Sequence, residues 1–407
     1  MHLLALTHLF YPARGGTEIA LLELSKKLVE KGHRVTVLTS NQLSLEAFRN
    51  PQINTHLAQK EWTEGIQICR LPLSNRQRLF WAKLGALFLR SRVPGGDYLW
   101  FMTHLPHLPQ MISRARALKP DILYAVPFPA ATPFYARMAA KTLGCPWVIQ
   151  PHLHPSDIND SLRKIIRWLF PQASAVVVNT RAEQDFLINL GLSKDKLPVI
   201  GQGIDLSPLQ TGDRTDIRTR LGLSQEPLIL FMGRKVEKKG LDTLLKAMPL
   251  VWKDLPEARL ILAGQSSPYF QALWHSQPET SDRRIISLDD FAEGEKAGLL
   301  EACDLLVLPS LAESFGIVFL EAWALGKPVI GARVPAVEAL IDEEQDGLLV
   351  PFNDSSQLAT QILRLLNDPD LRKSLGEKGH RKVKTTYEIH QVADRFEAFL
   401  NQLMRDR

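Results

Sequence analysis

Glu313 and Glu321, with seven residues between them, lie in the segment PSLAESFGIVFLEAWALGKPVI, residues 309–330. The apolar run Leu305–Leu308 ahead of it predicts a buried parallel strand, ended by Pro309 and Ser310. A short loop then carries Glu313, Ser314, Phe315 and Gly316, and a helix is expected from near Ile317 to the Gly326-Lys327-Pro328 stop. Glu313 is thus placed in a loop at the carboxyl end of a strand, where open α/β sheets bind ligands. Glu321 falls about one turn into the helix. The helix start between them offers N–H groups and a positive dipole end to an anion. Two carboxylates flanking an anion site suit a ligand with hydroxyls on both sides of a phosphate, and a sugar nucleotide is such a ligand. As plain solvated acids the pair would be hard to explain. Glu321 sits inside IVFLEAWAL, where an unpaired carboxylate is costly and a ribose diol would satisfy it.

A second cluster follows the apolar strand Leu228-Ile229-Leu230-Phe231, in FMGRKVEKKGLDTLLKAM, residues 231–248. Gly233 permits a tight turn or a close backbone approach. Arg234 and Lys239 offer fixed positive charge to a diphosphate. On GRKVEKKG and ESFGIVFLE together, the chain resembles the large retaining glycosyltransferase family 4. That family's pattern is G-R-x4-K-G followed by E-x7-E, and both spacings are matched here.

The resemblance covers nearly the whole chain and implies an α/β protein of two Rossmann-like, doubly wound domains facing a cleft, the GT-B architecture. Residues 1–205 would form the acceptor-binding domain and 206–385 the nucleotide-sugar domain. A last helix in 386–407 would cross back to the first domain. The implied reaction is transfer of a hexose from a nucleotide-diphosphate sugar to a hydroxyl of a glycan or lipid-linked acceptor, by front-face attack. GDP-mannose, UDP-glucose and UDP-N-acetylglucosamine fit the motif equally. Arg234 and Lys239 would neutralise the leaving diphosphate. Gly233, Ser314, Phe315, Gly316 and Ile317 would line the donor, Glu313 would hold sugar hydroxyls, and Glu321 the ribose.

The loop YPARGGTE, residues 11–18, follows the first strand and precedes a helix. Gly15 and Gly16 can bring backbone N–H groups close to a phosphate or a hydroxyl. The resemblance places Gly15, Gly16 and Thr17 against the acceptor, and Gly16 also near the donor. PWVIQPHLHPSD, residues 146–157, carries His152 and His154 just past a strand end. The family has one histidine here, close to the transferred sugar. His152 matches its place without a gap and His154 is displaced by two, so both are candidates. In NTRAEQDFL, Thr180 and Glu183 have capping-box spacing and are expected to start a helix. GQGIDLSP resembles the family's N-G-x-D segment, with Gln202 in place of the usual Asn.

The elements that must position these groups follow from the remaining pattern. A chain of 407 residues suits two domains of about 200. At 45% apolar and 23% charged it has an ordinary globular composition. Strands are expected at Leu3–Thr7, Val35–Thr39, Ile66–Arg70, Ile122–Ala125, Trp147–Gln150, Ala175–Val178 and Pro198–Ile200. A linker is expected near 201–208. A second set follows at Leu228–Met232, Arg259–Ala263, Arg284–Ser287, Asp304–Leu308, Pro328–Gly331 and Gly347–Val350. Helix patterns fill the gaps, ending with an amphipathic helix over Ile389–Leu403. The opening MHLLALTHLF reads as the first strand rather than a signal peptide, and no run is long enough for a transmembrane helix.

Cys69, Cys145 and Cys303 form no zinc, redox or disulfide pattern, which points to a reducing, cytoplasmic setting. There is no H-E-x-x-H, and the D-x-D of Asp368-Pro369-Asp370 lies in an inter-helix turn, so no metal and no cofactor is expected. No nucleic-acid partner is expected either. The net charge of +5 is uneven: residues 70–119 hold nine Lys/Arg and one acid, Asp97. With Leu79, Phe80, Trp81, Leu87 and Phe88 interspersed, this segment reads as a basic amphipathic surface for anionic membrane, or as a buried helix with a solvated basic rim. Two other functions compete. GQGIDL hints at a nicotinamide-dependent dehydrogenase but lacks the third glycine and a following helix start. A non-catalytic sugar-nucleotide or glycan binder would have no need of the full charged set.

Overall fold

The computed structural model describes residues 1–13, 15–44, 47–48, 57–73, 83, 87, 108–211, 217–276, 278–289, 291 and 293–406. Most of the basic segment 70–119 lies outside these residues, and with it the membrane-surface expectation. The chain forms two compact units, Met1–Gly203 joined by Val392–Arg407, and Ile204–Gln391. The family resemblance implied divisions at 205 and 385. The structure sets the second one later, because the last helix begins in one unit and continues in the other.

The first unit is built on β1 (His2–Leu6), β2 (Arg34–Ser40), β3 (Lys60–Thr63), β4 (Ile66–Leu71), β5 (Ile122–Ala125), β6 (Trp147–Ile149) and β7 (Ala175–Val176). Their order in the sheet is β3-β4-β2-β1-β5-β6-β7, parallel except for β3 on β4. The β1 and β5 strands are buried along their whole length, as a sheet covered on both faces requires. Its edge strand β3, with the sequence Lys-Glu-Trp-Thr, has no apolar alternation and was not legible. The strand expected at Pro198–Ile200 is a single bridge, Val178 to Val199. Val178 donates to the carbonyl of Pro198 and its own carbonyl accepts from Ile200. Proline has no N–H with which to extend the ladder.

The second unit holds β8 (Leu228–Met232), β9 (Arg259–Ala263), β10 (Ile285–Leu288), β11 (Leu305–Leu308), β12 (Val329–Ala332) and β13 (Gly347–Val350). Their order is β10-β9-β8-β11-β12-β13, and every pairing is parallel. Setting β3 aside, each unit follows the winding in which the sheet grows one way from its first strand and then reverses. The reversal leaves a crevice at the carboxyl ends of two adjacent strands. Those strands are β1 and β5 in the first unit, and β8 and β11 in the second.

The final helix, Ile389–Arg405, belongs to the first unit from Val392 onward. There Val392, Ala393, Phe396 and Leu400 are buried. The Phe396 ring lies 5.2 Å from that of Tyr124 on β5. Lys31 pairs with Asp394 at 2.6 Å and with Glu397 at 2.9 Å, and His33 Nε2 lies 2.7 Å from Glu397.

Candidate functional site

In the second unit the predicted donor residues occupy the two loops that leave β8 and β11 at the reversal. Gly233, φ +153°, ends β8, and its N–H donates to the carbonyl of Ala263 at the end of β9. Six residues on, Lys239 places Nζ 2.5 Å from Oε1 of Glu313, an ion pair in which Glu313 is only 8% exposed. Gly240 follows at φ +68° and starts the helix Leu241–Asp254. A Cβ on Gly240 would lie 2.1 Å from the carbonyl oxygen of Pro309, so only glycine allows the β8 loop this close to the β11 loop. Leu311 N–H donates to the carbonyl of Lys238 at 2.8 Å and closes the same contact. The two motifs recognised separately in the sequence are therefore one side-by-side structure.

Gly316, φ +92°, starts the helix Ile317–Ala324, and no side chain caps that end. Its first-turn amides sit beside Ser314, while Phe315 turns inward onto Tyr387 with ring centroids 5.6 Å apart. Phe315 thus contributes backbone to the loop and anchors it by its side chain. Arg234 is exposed at the rim of the same loop. Glu321, one turn into the helix and buried, forms an ion pair with Lys296 of the helix Glu293–Ala302. That cation was missed. It lies 25 residues upstream, and no spacing rule connects it to Glu321.

Lys235 was also missed. It is next to Arg234 in the charged run, yet its side chain is fully buried. Its Nζ contacts Asp289 at 2.6 Å, Ser287 Oγ at 2.7 Å and the Leu288 carbonyl at 3.2 Å, over the face of Phe270. Burial lowers its pKa and the Asp289 contact opposes the shift. Lys235 therefore ties the β8 loop to the end of β10. Of the run Arg-Lys-Val-Glu-Lys-Lys, Lys239 reaches Glu313 of the β11 loop and Arg234 is exposed.

In the first unit Gly15 precedes the helix Gly16–Glu30, in the loop that leaves β1 at the reversal. A Cβ on Gly15 would lie 2.1 Å from Oε2 of Glu18, whose side chain folds back over it. Gly16 and Thr17 form the first turn, with no side-chain cap. His152 and His154 follow β6 and are separated by their surroundings. His154 is half-buried and precedes the short turn Pro155–Asp157. His152 is 7% exposed, in the left-handed region at φ +53°. Burial, followed by the neighbouring His154, pushes its pKa down to about 3, so the ring is neutral.

Two amides meet its Nδ1, Gln202 Nε2 at 2.6 Å and Asn179 Nδ2 at 3.3 Å. Thr180 does start a helix, Arg181–Asn189, accepting from Glu183 N–H. The other half of the expected capping box differs. The Glu183 carboxylate bypasses Thr180 and accepts from Asn179 N–H at 2.6 Å and from Leu153 N–H at 2.8 Å. Burial pushes its pKa up to about 7. It clamps the His152 loop to the end of β7. The GQGIDL segment is not a dinucleotide turn: Gln202 serves His152, and Ile204 bridges to Glu388.

Among the described residues no group of histidine, cysteine and acidic side chains is arranged to hold a metal ion. Nor is any described helix long and apolar enough to cross a membrane.

The model for glycosyltransferase family 4 matches residues 14–208, and that for glycosyl transferases group 1 matches residues 213–382. N-acetyl-alpha-D-glucosaminyl L-malate synthase of Bacillus anthracis is 24% identical over 405 residues, 97% of this chain and 96% of the relative. D-inositol 3-phosphate glycosyltransferase of Corynebacterium glutamicum is 32% identical over 228 residues, 53% of this chain and 54% of that relative. Among solved structures, Anabaena HepE in complex with UDP and glucose superposes with a TM-score of 0.76 at 20% identity, over 99% of this chain and all of HepE. Sucrose-phosphate synthase from Thermosynechococcus elongatus gives 0.74 at 20% identity over the full length of both.

Proposed function

We propose that this chain, which belongs to the family 4, group 1 glycosyltransferases of GT-B fold, is a retaining hexosyltransferase that takes its sugar from a nucleoside-diphosphate donor. The observation that carries this is the Lys239–Glu313 pair, held at the reversal point of the second sheet beside an uncapped helix start. A diphosphate brings negative charge to this place. Arg234 and Lys239 supply fixed cations to the leaving group, and the amides at Gly316 and Ile317 supply oriented dipoles. Positive charge that grows in value as the sugar–phosphate bond breaks favours the transition state over the ground state.

Glu313 is already oriented by Lys239 and accepts from sugar hydroxyls. A ribose diol shares the Glu321 carboxylate with Lys296. In the first unit, Gly15, Gly16 and Thr17 are assigned to the acceptor hydroxyl, and His152 to a sugar hydroxyl of the donor. The relatives support this reading: HepE is solved with UDP and glucose, and the two curated relatives are by name a D-inositol 3-phosphate glycosyltransferase and an N-acetyl-alpha-D-glucosaminyl L-malate synthase. Two cationic side chains at the leaving group do the work that a metal does elsewhere, so the reaction is assigned as metal-independent.

Thermal unfolding with UDP and with GDP tests the donor site. A ligand that binds only the native state at one hundred times its Kd stabilises it by about 2.7 kcal/mol. One of the two nucleotides is expected to raise the midpoint, and sugar transfer from the matching nucleotide sugar is expected to persist in EDTA. A midpoint moved by neither nucleotide removes the donor-site reading. Transfer abolished by EDTA and restored by magnesium or manganese removes the metal-independent one.

A further inference from the structure

We propose that Gln202, together with the buried chain Tyr124–Gln150–Asn179, consists of positioning residues that hold His152 as the Nε2–H tautomer, leaving it a hydrogen-bond donor through Nε2. That the accepting oxygen belongs to a sugar rests on the glycosyl-transfer reading above; the tautomer itself does not.

The argument starts at Nδ1. Gln202 Nε2 approaches it at 2.6 Å and Asn179 Nδ2 at 3.3 Å. An amide nitrogen donates and does not accept, so the ring nitrogen facing two of them must be bare. In a neutral imidazole the proton is then on Nε2. Burial keeps the ring neutral, as its strongly lowered pKa records.

The orientation of the Asn179 amide is fixed from a distance. Asn179 Oδ1 accepts from Gln150 Nε2 at 2.8 Å, and Gln150 Oε1 accepts from the Tyr124 hydroxyl. Each amide has one donating and one accepting end, so the direction of one bond sets the direction of the next. Tyr124 sets the first. Its side chain is fully buried on β5 against Phe396, and burial raises its pKa, so the phenol keeps its proton. That proton needs an acceptor, which is Gln150 Oε1. Reversing the chain would strand a buried donor at Tyr124, and leaving such a group unmet costs more than a hydrogen bond normally contributes. It would also turn Asn179 Oδ1 toward Nδ1, where the Gln202 amide nitrogen already donates.

The backbone cooperates. His152 adopts a left-handed conformation that L residues rarely take, and the next peptide N–H is clamped by Glu183, which also clamps Asn179. Conformations of this kind persist where the surroundings enforce them. The ring, its two amide donors and the carboxylate beneath are one pre-set unit.

Long-range 15N–1H correlation spectra of the full chain labelled with 15N-histidine read the tautomer directly, with His152→Gln used for assignment. In the wild type at pH 7, Nε2 should be protonated and Nδ1 bare. In Gln202→Glu the carboxylate accepts where the amide donated, so a proton should appear on Nδ1 and kcat should fall about tenfold or more, the size of one lost or misdirected hydrogen bond. Tyr124→Phe removes one hydroxyl far from the ring and should also let Nδ1–H become populated, which gives a second variant if Gln202→Glu does not fold. A wild type with the proton on Nδ1 overturns the proposal, as does a bare Nδ1 that persists in both variants. Absence of sugar transfer with the expected tautomer would instead count against the glycosyl-transfer reading.

Discussion

Residue identity matters most where a charge is both exposed to a ligand and tied to a neighbour. Arg234 and Lys239 have the same assigned role but different surroundings. Arg234 is exposed, whereas Lys239 neutralises the buried Glu313. Arg234→Ala and Lys239→Ala are each expected to lower kcat by about two orders of magnitude, as loss of one preorganised charge at a leaving group does. Lys239→Ala should in addition destabilise the native state by about 3 kcal/mol, because it leaves a buried carboxylate uncompensated. Arg234→Ala should leave the melting temperature unchanged. Steady-state kinetics and thermal melts of both variants separate the two effects, and full activity in both would refute the diphosphate assignment. The residues legible in the sequence were those with fixed local spacing, Arg234 with Lys239 and Glu313 with Glu321. The partners that hold Glu321 and the His152 loop were not legible. Lys296, Gln202 and Glu183 reach their targets across 25, 50 and 30 residues, and such pairings are set by topology rather than by spacing.

At the scale of elements, the strands could be read because a parallel sheet covered on both faces needs near-continuous apolar runs, and Leu228–Met232, Arg259–Ala263 and Gly347–Val350 have them. The short polar edge Lys60–Thr63 lacks that signal, whereas Pro198–Ile200 has it and forms only a single bridge at Val199. What the pattern could not show is how closely two loops approach. Gly240 sets that distance, with a positive φ and the Pro309 carbonyl where a Cβ would be. Gly240→Ala is expected to cost about 2 kcal/mol through backbone strain and steric displacement. It should also separate Lys239 from Glu313, so that affinity for the nucleoside diphosphate falls along with stability. Gly32 provides the control. It too has a positive φ, +84°, but nothing lies within 4 Å of its Cβ position, so alanine there should lower stability without changing nucleotide affinity. Equal nucleotide affinity in wild type and Gly240→Ala would show that the loop contact does not set the site.

For the molecule as a whole, two buried neutral histidines in the first unit make its stability depend on acid. Burial pushes His8 down to about 4 and His152 to about 3, against 6.5 for a free histidine. Above pH 6.5 both are neutral whether the chain is folded or not, and stability is complete. As pH falls below 6.5 the unfolded chain takes up protons that the native state refuses, and stability is lost. Each histidine accounts for about 2 kcal/mol of loss at pH 5. Glu183 opposes them. Its native pKa of about 7 means that it stabilises below pH 4.5 and loses that contribution as pH rises through 7. Two histidines outweigh one carboxyl, so the unit should melt at a lower temperature at pH 5 than at pH 7. His8→Leu should narrow that difference, since the His8 Nδ1 has no hydrogen-bond partner among the described residues to be sacrificed. Melts of both proteins at the two pH values decide it, and an unchanged difference would exclude His8 as a source.

The two units also differ in when they can be finished. The second is one unbroken stretch, Ile204–Gln391, while the first awaits Val392, Phe396 and Leu400 from the end of the chain. On the ribosome, β1 to β7 emerge first, but Tyr124 lacks its Phe396 partner until all of the second unit has been made. At about 5–20 residues per second, that interval is on the order of ten seconds or more. The half that is synthesised first is therefore the half that matures last. During that interval the apolar groups that Val392, Phe396 and Leu400 will cover, and the Tyr124 anchor that orients His152, are open to chaperones or to premature association.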